Sequence, residues 1–174
     1  MFLSEGIDDG DIIAVAETDI DENETAGELA QRLSEIGAPL LYDTIVDIFS
    51  GKAERHPQDS SAASYAPMIR KEEGRLDFSL PARKIYNIFR GVTPNPGAST
   101  TLCGKTLKIT AAELCGGEGG ESGEVVACNK NGIDVRTGEG YFRILRLVPE
   151  GKREMTAAEF LCGRGACAGD RLGY

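Results

Sequence analysis

The stretch Cys103-Gly104-Lys105-Thr106-Leu107-Lys108-Ile109-Thr110-Ala111 alternates polar and apolar residues beyond a Cys-Gly turn, with Leu107 and Ile109 on one face and Lys108 on the other. That period of two marks a half-buried strand, and it recurs on both sides. Thr100 to Leu102 precedes the turn, Val125 to Cys128 and Ile133 to Arg136 flank Asn129-Lys130-Asn131-Gly132, and Tyr141 to Leu147 follows Gly138-Glu139-Gly140. Five short strands with tight turns predict a small β-barrel of the OB type, although a sandwich gives a similar string.

Helical spacing brackets these strands. Ser79-Leu80-Pro81 opens a helix with Ile85, Ile88 and Phe89 on one face, and Pro94-Asn95-Pro96-Gly97 stops it. Near the end, Thr156-Ala157-Ala158-Glu159 has capping-box spacing and starts a short helix. Residues 51 to 75 are polar, with Ser60, Ser61 and Ser64, and read as a connecting segment. Before them, Thr25-Ala26-Gly27-Glu28 is another capping box. Ala26, Leu29, Ala30, Leu33 and Ile36, then Leu40, Leu41, Ile45, Ile48 and Phe49, predict two helices near 25–36 and 40–50, broken at Gly37 and Pro39. Asp11 to Thr18 reads as a strand. One strand and two amphipathic helices do not complete a layer, so the front segment is expected to be incomplete by itself.

Composition narrows the class. The 174 residues are 41% apolar, enough for a packed core. Nothing approaches a membrane-spanning run, and Met1 to Gly6 has neither a basic leader nor a long apolar stretch, which predicts a cytoplasmic protein with no membrane association. The five cysteines, Cys103, Cys115, Cys128, Cys162 and Cys167, include no CxxC pair and read as free thiols, with a zinc or redox pair at Cys162 and Cys167 as the alternative. The single histidine, His56, lies in a polar stretch and reads as a solvated loop residue. Residues 1 to 80 hold 6 Lys+Arg against 18 Asp+Glu, whereas residues 81 to 174 hold 13 against 10. A polyanion would be repelled by the front and tolerated by the rear.

The densest acidic loop is Gly6-Ile7-Asp8-Asp9-Gly10-Asp11. Clustered carboxylates suit hard cations, but EF-hand spacing counted from Asp19 puts Glu24 at the glycine position and Ala30 at the bidentate position. No metal is expected.

That loop, continued by Ile12, resembles the catalytic-loop motif of the methionyl-tRNA formyltransferase family. The resemblance extends through Gln58-Asp59 and from Tyr65-Ala66-Pro67-Met68 through Arg75-Leu76-Asp77-Phe78-Ser79. It continues through Pro94-Asn95-Pro96-Gly97-Ala98, Gly104 to Ile109, Pro149 to Leu161 and Gly169 to Gly173, in the same order over essentially the whole chain. Asn95 departs from it, since many members carry an aromatic residue there.

The family implies an α+β chain: an incomplete, Rossmann-like formyltransferase remnant at 1–60, a linker at 61–78 and an OB-like domain at 79–174. It also implies formyl transfer from 10-formyltetrahydrofolate to the amine of methionyl initiator tRNA, with no metal and no DNA partner. Family catalysis uses an Asn, a His and an Asp, and the Asp falls on Asp8. The Asn, the His and a folate contact belong to a segment before the residues present here, so the chain is expected to be inactive alone. It would be a truncated product, a mis-set start, or one piece of a split enzyme whose other half is a separate polypeptide. Lys105, Lys108, Arg143, Arg146, Lys152 and Arg153 are the candidate tRNA phosphate contacts. A stand-alone RNA-binding module is the alternative function. Relatives acting on sugars or formyl-folate share the Asp8 loop, but the Tyr65 to Arg75 and Lys152 to Leu161 stretches favour the tRNA member.

Overall fold

The alternation around Lys105 becomes a hairpin of β1 (Ala98–Leu102) and β2 (Lys105–Cys115), in which Leu102 pairs with Lys105 across Cys103 and Gly104. Both turn residues have positive φ, 49° and 74°, the backbone twist that two-residue hairpins favour. β3 (Val125–Asn129) and β4 (Gly132–Arg136) form a second hairpin, and β5 (Tyr141–Pro149) joins the two by pairing with β2 on one side and β4 on the other. All pairings are antiparallel, in the order β1-β2-β5-β4-β3, and β6 (Met155–Thr156) adds to β5. The structure, a computed structural model, describes residues 1–163 and 165–173. They divide into two units, residues 1–24 with 28–68, and residues 25–27 with those from 69 onward.

The α+β class expected from sequence is the class observed. The closed barrel is not, because no ladder joins the outer strands β1 and β3. The segment near the C-terminus takes that place. Val125 and Asp170, Leu172 and Gly123, and Gly173 and Thr101 are joined by backbone hydrogen bonds of 2.8 to 2.9 Å, so one stretch satisfies donors and acceptors along both outer strands. Bare strand edges invite pairing with other chains, and this stretch covers them.

α2 (Ala82–Val92) begins after Pro81, as expected, and lays Ile85, Tyr86, Phe89 and Val92 on the sheet. Leu107, Ile109, Phe142, Ile144 and Leu147 receive them, and Leu76 and Phe78 complete the core from the segment before the helix. The Phe142 ring has Phe78 at 6.1 Å and Phe89 at 6.0 Å, both edge-on, the arrangement aromatic quadrupoles favour. One charged group is buried with this sheet. Asp134 on β4 is met by Arg143 on β5 through two hydrogen bonds of 2.5 and 2.9 Å, and Glu113 takes a third from the same guanidinium at 3.0 Å. All five cysteines are free thiols, and burial, followed by the charge of Asp134, pushes the Cys115 thiol up to about 11.

The front unit follows different rules. Its main element, α1 (Ala26–Phe49), is one continuous helix through Gly37 and Pro39, not the two helices expected. Pro39 cannot donate to the carbonyl of Glu35, but both residues are exposed, so water can satisfy the orphaned acceptor and the break costs little. The strand expected at 11–18 shrinks to one antiparallel bridge between Ile12 and His56, since no neighbouring strand offers a ladder. Among residues 1–68 only Gly10 is buried, and Leu41, Tyr42, Val46 and Phe49 of α1 are at least half exposed.

Two outcomes are expected. Amides of residues 1–68 should exchange with solvent much faster than those of β2 and β5 in the isolated chain, because little apolar cover protects them. Uniformly slow exchange would contradict this. At the head of α3 (Ala157–Cys162), Thr156 Oγ1 accepts from the Glu159 N–H at 3.2 Å, and Glu159 accepts from the Thr156 N–H at 2.7 Å. Thr156→Ala should lower unfolding stability by about 1 kcal/mol in denaturant titrations at neutral pH. Hydrogen bonds from Thr156 hold the Glu159 carboxyl below its usual range. Its contribution is therefore fully present above the unfolded-state pKa and is lost as pH falls through the depressed folded value, so the wild-type advantage should shrink in acid.

Candidate functional site

Asp8 sits in the exposed loop Gly6 to Asp11 with φ of 54°, a left-handed backbone that non-glycine residues seldom adopt. Gly10 is buried two residues later. A Cβ there would lie 1.9 Å from the Phe2 carbonyl oxygen, so the chain can pass only as glycine. Phe2 N–H donates to the Asp11 carbonyl at 2.9 Å and closes the loop from its own side.

The other side of the loop is held from residues 55–59, about 50 positions away. Ile12 and His56 exchange two backbone hydrogen bonds of 2.9 Å. The Gln58 side-chain amide donates to the Asp8 carbonyl at 2.9 Å and to the Gly10 carbonyl at 2.8 Å. Arg55 lies over the Phe2 ring, 4.0 Å from its centroid, and approaches Asp11 at 3.6 Å. His56 itself is exposed, with Nε2 3.8 Å from the Glu54 carboxylate. It lies beside the loop through its backbone, while its imidazole is turned to solvent and to Glu54.

The six candidate cations of the rear unit separate into two groups. Arg143 is engaged by Asp134 and Glu113, and the hydrogen bond it donates to Asp134 raises its guanidinium further above the ordinary arginine range. Arg146 is paired to Glu154 at 2.7 Å, and that contact holds the Glu154 carboxyl below its usual value. Lys105, Lys108, Lys152 and Arg153 are exposed and have no ion-pair partner among the described residues. Lys105 and Lys152 share the rim of one pocket of about 330 Å³, with Leu102, Leu107, Pro149 and Phe160 among its walls and Cys103 at its edge. The start of β2, which carries Lys105, is tied there to the turn that carries Lys152, since Thr106 and Glu150 are linked by backbone and side-chain hydrogen bonds of 3.0 and 3.1 Å. Lys108 lies apart, its stem packed over Gly97.

Two features escaped sequence reading. Gln58 was visible only as part of a resemblance, because nothing local signals a contact 50 residues away. Phe160 follows the capping box of the last helix and Pro149 lies beyond the strand expected at Tyr141 to Leu147, and their place beside the lysines depends on how the chain continues past β5 to the β1–β2 hairpin. Among the described residues no cluster of three or more His, Cys, Asp or Glu side chains could hold a metal ion, and no helix is long and apolar enough to cross a membrane.

A formyl-folate donor would need polar partners for its pterin ring. The groove of the front unit, about 490 Å³ between Met1 to Leu3, Ile13, Ala14 and α1, is lined almost wholly by apolar side chains, and its Thr44 hydroxyl is already donated to the Leu40 carbonyl at 2.6 Å. These residues do not form a folate site by themselves.

The family described as formyl transferase, C-terminal domain, matches residues 68–165. Methionyl-tRNA formyltransferase of Bacillus licheniformis is 40% identical over 100% of this chain and 56% of its own length, and that of Myxococcus xanthus is 40% identical over 98% and 54%. The chain thus spans about half the length of these curated relatives. Among solved structures, a variant of HypX from Aquifex aeolicus superposes with a TM-score of 0.76 at 20% identity, covering 95% of this chain and 30% of that one. The N-formyltransferase from Helicobacter canadensis, in complex with folinic acid and dTDP-3-aminofucose, gives 0.62 at 20% identity over 82% and 52%. These two likenesses establish the fold. With a domain match over more than half its length and 40% identity throughout, the chain belongs to the formyltransferase family, beside the methionyl-tRNA formyltransferases.

Proposed function

We propose that this chain supplies the Asp8 loop and the tRNA-binding unit of a methionyl-tRNA formyltransferase, and that catalysis also needs the Asn, the His and the folate contact of the family. The observation that carries this reading is 40% identity across the entire chain, front loop included, to methionyl-tRNA formyltransferases. In the proposed reaction the methionyl amine of initiator tRNA attacks the formyl carbon of 10-formyltetrahydrofolate, a new C–N bond forms, the bond to the folate nitrogen breaks, and the amine's proton passes to that nitrogen. Asp8 would face the family's histidine. A carboxylate there favours the imidazolium and fixes the ring's orientation, which sets the group that moves the proton. The neighbouring Asn amide would donate to the oxyanion of the tetrahedral intermediate.

The front unit's apolar groove supports the same reading. Its walls expose Leu3, Leu41 and Ile45 to water in the isolated chain, and the remainder of an α/β domain is the cover they suit. The division into a catalytic remnant at 1–60, a linker at 61–78 and a tRNA-facing domain at 79–174 belongs to this proposal. Lys105, Lys108, Lys152 and Arg153 are the phosphate contacts it ranks first, with Arg143 and Arg146 held back by their carboxylates.

A second reading, an RNA-binding protein without catalysis, is favoured by one observation only: the two unpaired lysines gathered on one pocket.

The deciding material is a chimaera in which the part of the Bacillus licheniformis relative outside the match precedes this chain. Formylation of methionyl-tRNA is expected, and Asp8→Asn should lower its rate at least about 10²-fold. A chimaera that binds tRNA and never formylates it would defeat the enzymatic reading and leave the second. For the full chain alone, tRNA binding should weaken steeply with salt, and the double variant Lys105→Ala, Lys152→Ala should reduce the slope of log affinity against log salt by about two. An unchanged slope would remove these lysines from the interface.

A further inference from the structure

We infer that Gln58 is a positioning residue for Asp8, acting as a two-pronged clamp that keeps the Asp8 loop in its left-handed conformation. The inference rests on the proposed formyl-transfer role of Asp8 and adds to it a residue for which no role has been assigned.

Asp8 has φ of 54°, a conformation that costs an L-residue on the order of 1 kcal/mol and persists only where surrounding groups impose it. The loop has almost no apolar burial to impose it, since Gly10 is its single buried residue. Hydrogen bonding is what remains. One Gln58 Nε2 reaches the carbonyl oxygens of both Asp8 and Gly10, at 2.9 and 2.8 Å, and so bridges the two peptide units on either side of the Asp9–Gly10 peptide. An amide nitrogen has two hydrogens and can serve both acceptors at once, whereas a hydroxyl or a carboxylate cannot.

The clamp is itself anchored on both sides. Before it, the reciprocal Ile12–His56 backbone pair fixes the chain two residues away. After it, the Asp59 carboxylate accepts from the Ser61 N–H at 2.9 Å and from its hydroxyl at 2.6 Å, closing a turn and drawing the Asp59 carboxyl below its usual range. Gln58 therefore projects from a fixed backbone, and the loop takes its shape from it. Orientation of a carboxylate against an imidazole is sensitive at this scale, because small misplacements of catalytic groups have large rate effects.

Two variants separate clamping from folding. Gln58→Glu keeps the side chain's shape and replaces the donating nitrogen, with both its hydrogens, by a single acceptor oxygen facing two carbonyls, and Gln58→Ala removes the group. In the full chain, amide exchange at Asp9 to Ile12 should quicken at least tenfold in either variant, with exchange in β2 and β5 unchanged. Exchange at Asp9 to Ile12 equal to wild type would overturn the clamp. In the chimaera with the Bacillus licheniformis segment, Gln58→Glu should lower kcat for formylation about tenfold or more with KM for methionyl-tRNA within twofold. Adding it to Asp8→Asn should cost nothing further, since a residue that acts only through Asp8 has no effect once the carboxylate is gone. A multiplicative double variant, or an active chimaera whose Gln58→Glu form keeps wild-type kcat, overturns the positioning role. An inactive wild-type chimaera defeats the enzymatic reading instead, and the exchange experiment still decides whether Gln58 holds the loop.

Discussion

Phe142 lies near the start of β5, fully buried, with Phe78 and Phe89 edge-on to its ring. Those two partners arrive from different stretches of sequence, one from the segment before α2 and one from α2 itself. A single side chain therefore ties the sheet, the helix and the entering chain into one core. Because β5 also pairs with β2, β4 and β6, its position fixes the sheet, and the other strands take register from it. A core aromatic in this setting supplies several kcal/mol, of the order of 3–5 on truncation in comparable sites. The pocket between Lys105 and Lys152 inherits its geometry from the same strand, since Pro149 ends β5 opposite Leu107.

The front unit has no equivalent of Phe142. Its order comes from polar contacts at or near the surface: Gln58 on the loop carbonyls, Arg55 on Phe2 and Asp11, and Arg32 on Glu24, Thr18 and the Asp19 carbonyl. Water competes for every one of these groups, so each is worth less than it would be under cover. A partner that buried the apolar groove would exclude that water and strengthen the same bonds without altering them. Loop order and association are then two aspects of one equilibrium.

How much of this could be read from sequence depended on whether the determining contact was local. The hairpins at Cys103-Gly104 and Asn129 to Gly132, the Thr156 cap and the start of α2 are local, set by turn chemistry and side-chain period, and all were legible. The continuity of α1 was not. Gly37 and Pro39 are breaking signals, and they are overridden because the affected carbonyl faces water and apolar residues recur on either side. Barrel closure was misjudged for a different reason. Residues 169–173 enter the sequence reading only through the resemblance, yet their backbone serves two strand edges, which no side-chain pattern encodes. Asp8 was found through family resemblance; Gln58 needed the three-dimensional contact.

Charge counts mislead in a related way. The rear half has an excess of three positive charges in sequence, but two of its candidate cations are spent internally, Arg143 on the buried Asp134 and Arg146 on Glu154. The Arg143 pair is fixed by desolvation. A carboxylate buried on β4 without its guanidinium would be strongly destabilising, so that arginine is not available to a ligand at any ordinary affinity. What is left is smaller and better placed than the net charge implies: Lys105 and Lys152 on one pocket at the hairpin end, with Arg153 in the adjoining turn. A polyanion meeting this chain would be repelled along residues 1–80 and attracted mainly there.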